Sequence, residues 1–99
     1  MVKTPLAMLR RLSSCPRQID VAERLGVRPQ RVMGVESGAA VASEEFLAKL
    51  AKVLGRDPRE VLLAYLETRK AFLRLEADKV TVRLTELRGP IRHGRRKSA

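Results

Sequence analysis

The chain has 99 residues, a net charge of +10 and a sequence pI near 11.1. That length holds one small domain with room for an extension, and that charge points to a polyanionic partner, nucleic acid before an acidic membrane surface. Aromatics make up only 3% of the residues, so the core must be aliphatic; no run approaches the ~18 apolar residues of a membrane span, and Cys15, the single cysteine, excludes an intrachain disulfide.

The first helix is expected over residues 4–13. Thr4 suits its cap and Pro5 its first position, and Leu6, Leu9 and Leu12 supply an apolar stripe with Arg10 and Arg11 beside it. This opening segment has no signal-peptide pattern, so a cytoplasmic, nucleoid-associated location is expected. Ser13 to Pro16 break the helix. A second helix follows, capped by Ser14 or Cys15, running to about Arg24 and burying Ile19, Ala22 and Leu25. Cys15 at a helix start suits packing better than redox sensing. Gly26 supplies a tight turn.

The third helix starts near Arg28 with Pro29 at its first position, where a missing N–H costs nothing. It ends by Gly38. Val32 and Val35, three apart, face inward, and a 100° step per residue then puts Gln30, Met33, Gly34 and Ser37 on the far side. Arg28 and Arg31 flank that face. Gly34 inside a helix costs about 1 kcal/mol relative to Ala, so it either admits another surface closely or is merely tolerated. The stretch Gln18 to Ser37 thus reads as two short helices crossing at a turn, a helix-turn-helix.

A short apolar loop, Gly38 to Ala42, leads to a fourth helix capped by Ser43, with Glu44 and Glu45 suited to its dipole and Gly55 as its stop. Phe46, Leu47, Leu50, Ala51 and Leu54 form its buried stripe. Asp57-Pro58-Arg59-Glu60 starts a fifth helix that buries Val61, Leu62 and Tyr65. The compact domain is expected to close near Leu66, giving units at 1–66, 67–87 and 88–99. Residues 67–99 carry ten Lys and Arg against four acids. Leu66, Leu73, Val80 and Leu87 recur every seven residues with Leu63, Ala77, Leu84 and Ile91 between them, a heptad seam interrupted by Lys70. The fifth helix is expected to reach about Asp78. Residues 79–87 also alternate as a strand would, so both forms stay open there. Either leaves an apolar edge suited to self-association. Residues 88–99 read as a mobile basic tail.

Catalytic chemistry has little to work with. His93 is the only histidine and lies in the tail. Neither metal-ligand spacings nor a glycine-rich phosphate loop occur. No enzyme, metal or cofactor is expected.

Residues 4–66 resemble the XRE-like family of Cro and phage repressors. The resemblance rests on Gln18, Val21-Ala22, Leu25-Gly26-Val27, Val32 and Val35-Glu36-Ser37-Gly38, and on Leu50-Ala51 and Leu54-Gly55. It implies an all-α, five-helix lambda-repressor-like fold whose third helix enters the major groove of double-stranded DNA, in a transcriptional regulator acting as a homodimer. It implies Arg28, Pro29, Gln30, Arg31 and Gly34 as base-reading positions and Gln18 as a phosphate contact. It also implies a structural pair between Glu36 and Arg11, with Arg10 as the alternative arginine. The far-side geometry adds Met33, suited to a thymine methyl. Arg17 and Ser37 are further phosphate candidates, and Gln30 can pair bidentately with adenine. The loop Ala39-Ala40-Val41-Ala42 lacks the basic residues that grip the backbone in relatives. This keeps two rival readings open. One is an adaptor on the same fold, binding RNA polymerase or serving as a packaging subunit. The other is an antitoxin that binds a toxin as well as DNA.

Overall fold

The computed structural model describes residues 4–98, with side chains placed for 4–88. Five helices follow one another: α1 (Pro5–Arg11), α2 (Gln18–Leu25), α3 (Pro29–Ser37), α4 (Glu44–Leu54) and α5 (Pro58–Ser98). No strand occurs among the described residues. Local chemistry sets most of the boundaries. Thr4 Oγ1 accepts from Ala7 N, Ser43 Oγ from Phe46 N and Asp57 Oδ1 from Arg59 N, which caps three helix starts. Gly26, Gly38 and Gly55 end α2, α3 and α4 in left-handed conformations at φ 72°, 89° and 67°.

The core joins all five helices around Leu6, Val21, Val35, Leu47, Leu54 and Val61. Its inward faces differ from expectation in two helices. Helix α1 stops at Arg11, so Leu12 falls beyond it and is 68% exposed; the buried face of α1 is Leu6, Ala7 and Arg10 instead. Ile19 was expected in the core and is 53% exposed, because the inward face of α2 is set by Val21 and Ala22. The start of α2 also differs: it begins at Gln18 with Arg17 as its N-cap, and Cys15 is packed in the core rather than capping.

Helix α5 clasps the other helices along its first turns. Val61, Ala64, Tyr65 and Thr68 are buried, at the i, i+3, i+4, i+7 spacing of one helix face. Thr68 Oγ1 accepts from Leu6 N at 3.2 Å and donates to Ala64 O at 2.8 Å, which satisfies an amide at the start of α1. The end of α3 meets α5 at Gly38, where a Cβ would lie 2.8 Å from both Thr68 O and Phe72 Cβ. Only glycine fits there.

From Leu73 to Arg88 every side chain of the helix but half-buried Glu76 is exposed. Residues 79–87 are helical, not extended. A strand needs a neighbouring strand for its ladder, and none is present in this α-helical fold. The helix meets the same need with its own backbone bonds from each N–H to the carbonyl four residues before. Its side chains add local contacts: Thr81 Oγ1 donates to Ala77 O and Thr85 Oγ1 to Thr81 O, and Lys79–Glu76 and Arg83–Glu86 pair one turn apart at 3.3 and 3.4 Å. Leu63, Leu66, Leu73, Val80, Leu84 and Leu87 stay exposed along the side of α5 that faces away from the compact unit. The backbone of α5 continues to Ser98, while Met1–Lys3 and the side chains of 89–99, including His93 and most of the expected mobile tail, lie outside the described residues. No helix among the described residues is long and apolar enough to cross a membrane.

Candidate nucleic-acid interface

Helices α2 and α3 meet at Gly26, whose neighbour Val27 donates its amide to Ala22 O at 3.0 Å. Val21 and Ala22 from α2 and Val32 and Val35 from α3 are all essentially fully buried. Small and β-branched residues at these four positions let two short helices cross closely. The remaining faces of α2 and α3 look outward together.

A buried polar network fixes that pair to α1. Arg10 Nε donates to Glu36 Oε2 at 2.5 Å, and the side chains are 9% and 4% exposed. Arg10 also donates to Pro16 O. Gln18 Nε2 donates to Glu36 Oε1 at 2.8 Å, and Thr4 Oγ1 donates to Glu36 O at 2.5 Å. The Arg10 and Glu36 charges therefore meet each other, and no buried side-chain nitrogen or oxygen among the described residues is left without a partner, as burial demands. The arginine paired with Glu36 is Arg10, not Arg11. Position 10 stands four residues after Leu6 and three after Ala7, on the buried side of α1. Arg11 is turned about 100° away, half-exposed, and lines an open groove with Gln18, Met33, Gly34 and Ser37.

The outward residues fall into two groups. Arg28, Gln30, Arg31 and Met33 are exposed on α3, and Arg17 is exposed at the start of α2. The Arg31 guanidinium lies 5.1 Å from the centroid of the Phe46 ring, a cation–π contact that holds it beside α4. Arg17 stands 3.8 Å from Asp20, a loose surface pair. The other candidates are engaged internally. Gln18 gives its side-chain amide to Glu36, which leaves its backbone N–H as the group to offer an anion. Ser37 Oγ donates to Gly34 O at 3.0 Å and accepts from Ala39 N at 3.3 Å. At Gly34 a Cβ would lie 3.1 Å from Ala40 Cβ, and Ala40 N donates to Gly34 O at 3.0 Å. The surface that comes close to Gly34 is thus the chain's own loop.

The loop 38–42 is held by Tyr65, expected only as a core residue, and by Arg69, which sequence reasoning did not single out. Tyr65 Oη accepts from Ala42 N at 2.9 Å and donates to Ala40 O at 3.3 Å. Arg69 Nη1 donates to Gly38 O at 2.6 Å and to Ala39 O at 3.4 Å. The signal for Arg69 was its place directly after Thr68 on a helix face running 61, 64, 65, 68.

Helix starts complete the picture. Helices α1 and α4 have side-chain caps, and Asp57 does the same for α5, but α2 and α3 begin at Arg17 and Arg28 with no side-chain cap. At α2 the first-turn amides are left for an outside acceptor beside exposed Arg17; at α3 Pro29 has no N–H and Arg31 N donates to Arg28 O at 2.9 Å, so Gln30 N is the amide left beside Arg28. Such an arrangement suits phosphate.

Five helices, a packed α2–α3 pair joined at Gly26 and an outward basic face define an all-α, lambda-repressor-like helix-turn-helix fold with a long C-terminal helix. Residues 17–61 match the helix-turn-helix family model, which supports an XRE-like helix-turn-helix in this part of the chain. Comparison with curated proteins and with solved structures gives no match.

Proposed function

We propose that the protein is a sequence-specific, DNA-binding transcriptional regulator of Cro or repressor type, without catalytic activity and acting in the cytoplasm. Helix α3 lies in the major groove, and a homodimer places one α3 on each half-site about a helical turn apart. The observation that carries this reading is the pairing of uncapped helix starts with exposed arginines on the one face where α2 and α3 look outward together. Arg17 and the α2 amides take phosphate and set the register. Gln30 and Arg28 reach base edges, Arg31 reads from its seat on Phe46, and Met33 offers an apolar contact. Self-association runs through the exposed seam of α5.

Selection of bound duplexes from a random pool supplies the site, after which two substitutions test the assignment. Gln30→Ala lowers affinity for the selected site by about 1–3 kcal/mol and leaves random duplex unchanged. Arg17→Ala weakens both alike and reduces the salt slope by about 1. Equal loss on both duplexes for Gln30→Ala excludes direct readout. A complete lack of duplex binding at low salt would favour the adaptor reading instead, which Glu44 and Glu45, exposed beside the neutral loop, support.

A further inference from the structure

The exposed seam of α5 has a pattern more specific than apolarity. Written as heptads, Leu63, Lys70, Ala77 and Leu84 occupy a, and Leu66, Leu73, Val80 and Leu87 occupy d. The residues buried against the compact unit, Val61, Ala64, Tyr65 and Thr68, fall on the opposite face. A partner helix therefore has access to the whole seam without displacing the domain. Residues 73–88 are also a long helix with little packing of its own, and an isolated helix in water draws its stability mainly from a buried face.

The geometry points to a second copy of this chain as the partner, running antiparallel, and this rests on the self-association part of the functional reading above. A parallel pair would stack Lys70 on its own copy in the middle of the apolar seam and face Ala77 with Ala77. It would also set Arg69 at g against Arg74 at e, and Arg83 against Arg88. An antiparallel pair faces a with d. Aligning Leu73 with the second copy's Leu84 brings Ala77 to Val80 and Lys70 to Leu87, where the lysine stem packs and its ammonium reaches solvent. The same alignment sets Glu76 beside Arg83 and Glu67 beside Arg88, each twice by symmetry. The intrahelical Lys79–Glu76 and Arg83–Glu86 pairs are exposed surface contacts that exchange at little cost. Its centre falls between Asp78 and Lys79, which is the middle of α5 (Pro58–Ser98), so two copies overlap along their full helices. The two domains then sit at opposite ends, about 40 Å apart along the pair at Tyr65, on the order of one turn of duplex.

Disulfide trapping decides the orientation. In a Cys15→Ala background, Leu73→Cys and Leu84→Cys are made singly in the full chain. Both side chains are exposed, at 49% and 42%, so neither change touches the core. Under oxidation, each variant alone stays uncrosslinked and their mixture yields the covalent dimer. Sedimentation of the unaltered chain gives twice the 11.1 kDa of one copy. A covalent dimer from Leu73→Cys alone, a mixture that does not crosslink, or a monomer in sedimentation each overturns the antiparallel pair. Duplex binding is measured separately on the same proteins. If the mixture crosslinks but no duplex binds, the DNA reading falls and the pairing stands. If duplex binds and the mixture fails, the pairing alone falls.

Discussion

The two halves of α5 are one continuous helix under two different constraints. Residues 58–72 are tied into the fold: Val61 and Thr68 are buried, and Tyr65 and Arg69 hold the loop after α3. Residues 73–88 keep their helical hydrogen bonds yet present Leu73, Val80, Leu84 and Leu87 to solvent. The same aliphatic residue type is therefore core material in one half and a free surface in the other. The difference teaches that the compact unit ends where its packing ends, not where the helix does. Contacts continue past Leu66 to Phe72, since Gly38 admits α5 at that depth.

The contrast yields predictions that run from large to small. Arg10→Ala should be the most damaging change in the compact part, because it leaves Glu36 buried without its counter-charge; about 3–5 kcal/mol of unfolding free energy is lost, read from urea denaturation. Gly38→Ala comes next. It adds a Cβ where Thr68 O and Phe72 Cβ stand and forces a non-glycine residue to φ +89°, which costs about 2–3 kcal/mol in the same experiment. Thr68→Val keeps the shape but leaves Leu6 N without its acceptor, for about 1–2 kcal/mol. Leu84→Glu, beyond the last packed turn, should shift unfolding of the dilute monomer by less than about 0.5 kcal/mol. It should also abolish any dependence of melting temperature on protein concentration. A large loss of monomer stability from Leu84→Glu would mean that the far half of α5 packs on its own domain, and the contrast between the halves would fail.

Much of the candidate interface is legible in the sequence because it follows from helix periodicity. Fixing Val32 and Val35 as inward residues is enough to put Gln30 and Met33 on the outside, and the structure exposes both. Gln18 was placed at the right point of α2 but given an incomplete role. The family resemblance implies a phosphate role for its side chain, and only the arrival of Glu36 from another helix directs its NH2 inward. The family resemblance points to Arg11 as the partner of Glu36, with Arg10 as the alternative, and the structure pairs Arg10 instead. Their roles diverge because α1 ends at Arg11, and the Leu6–Ala7 face carries Arg10 into the core. Gly34 leaves two readings open in the sequence, a close neighbour or mere tolerance, and the structure supplies the neighbour, Ala40.

The sequence by itself determined the starts of α1, α3, α4 and α5, the stops of α2, α3 and α4, and the inward faces of α3 and α4. Thr4, Ser43 and Asp57 cap, Pro5, Pro29 and Pro58 begin, and Gly26, Gly38 and Gly55 stop, each through interactions spanning a few residues. Those choices need no knowledge of the rest of the chain. The tertiary structure decided which arginine meets Glu36, what lies against Gly34 and Gly38, and that α5 leaves the domain after Phe72 with its seam uncovered. Each of these depends on groups far apart in sequence being brought within a few ångströms, and on the low tolerance of a packed interior for unpaired charge or an added Cβ.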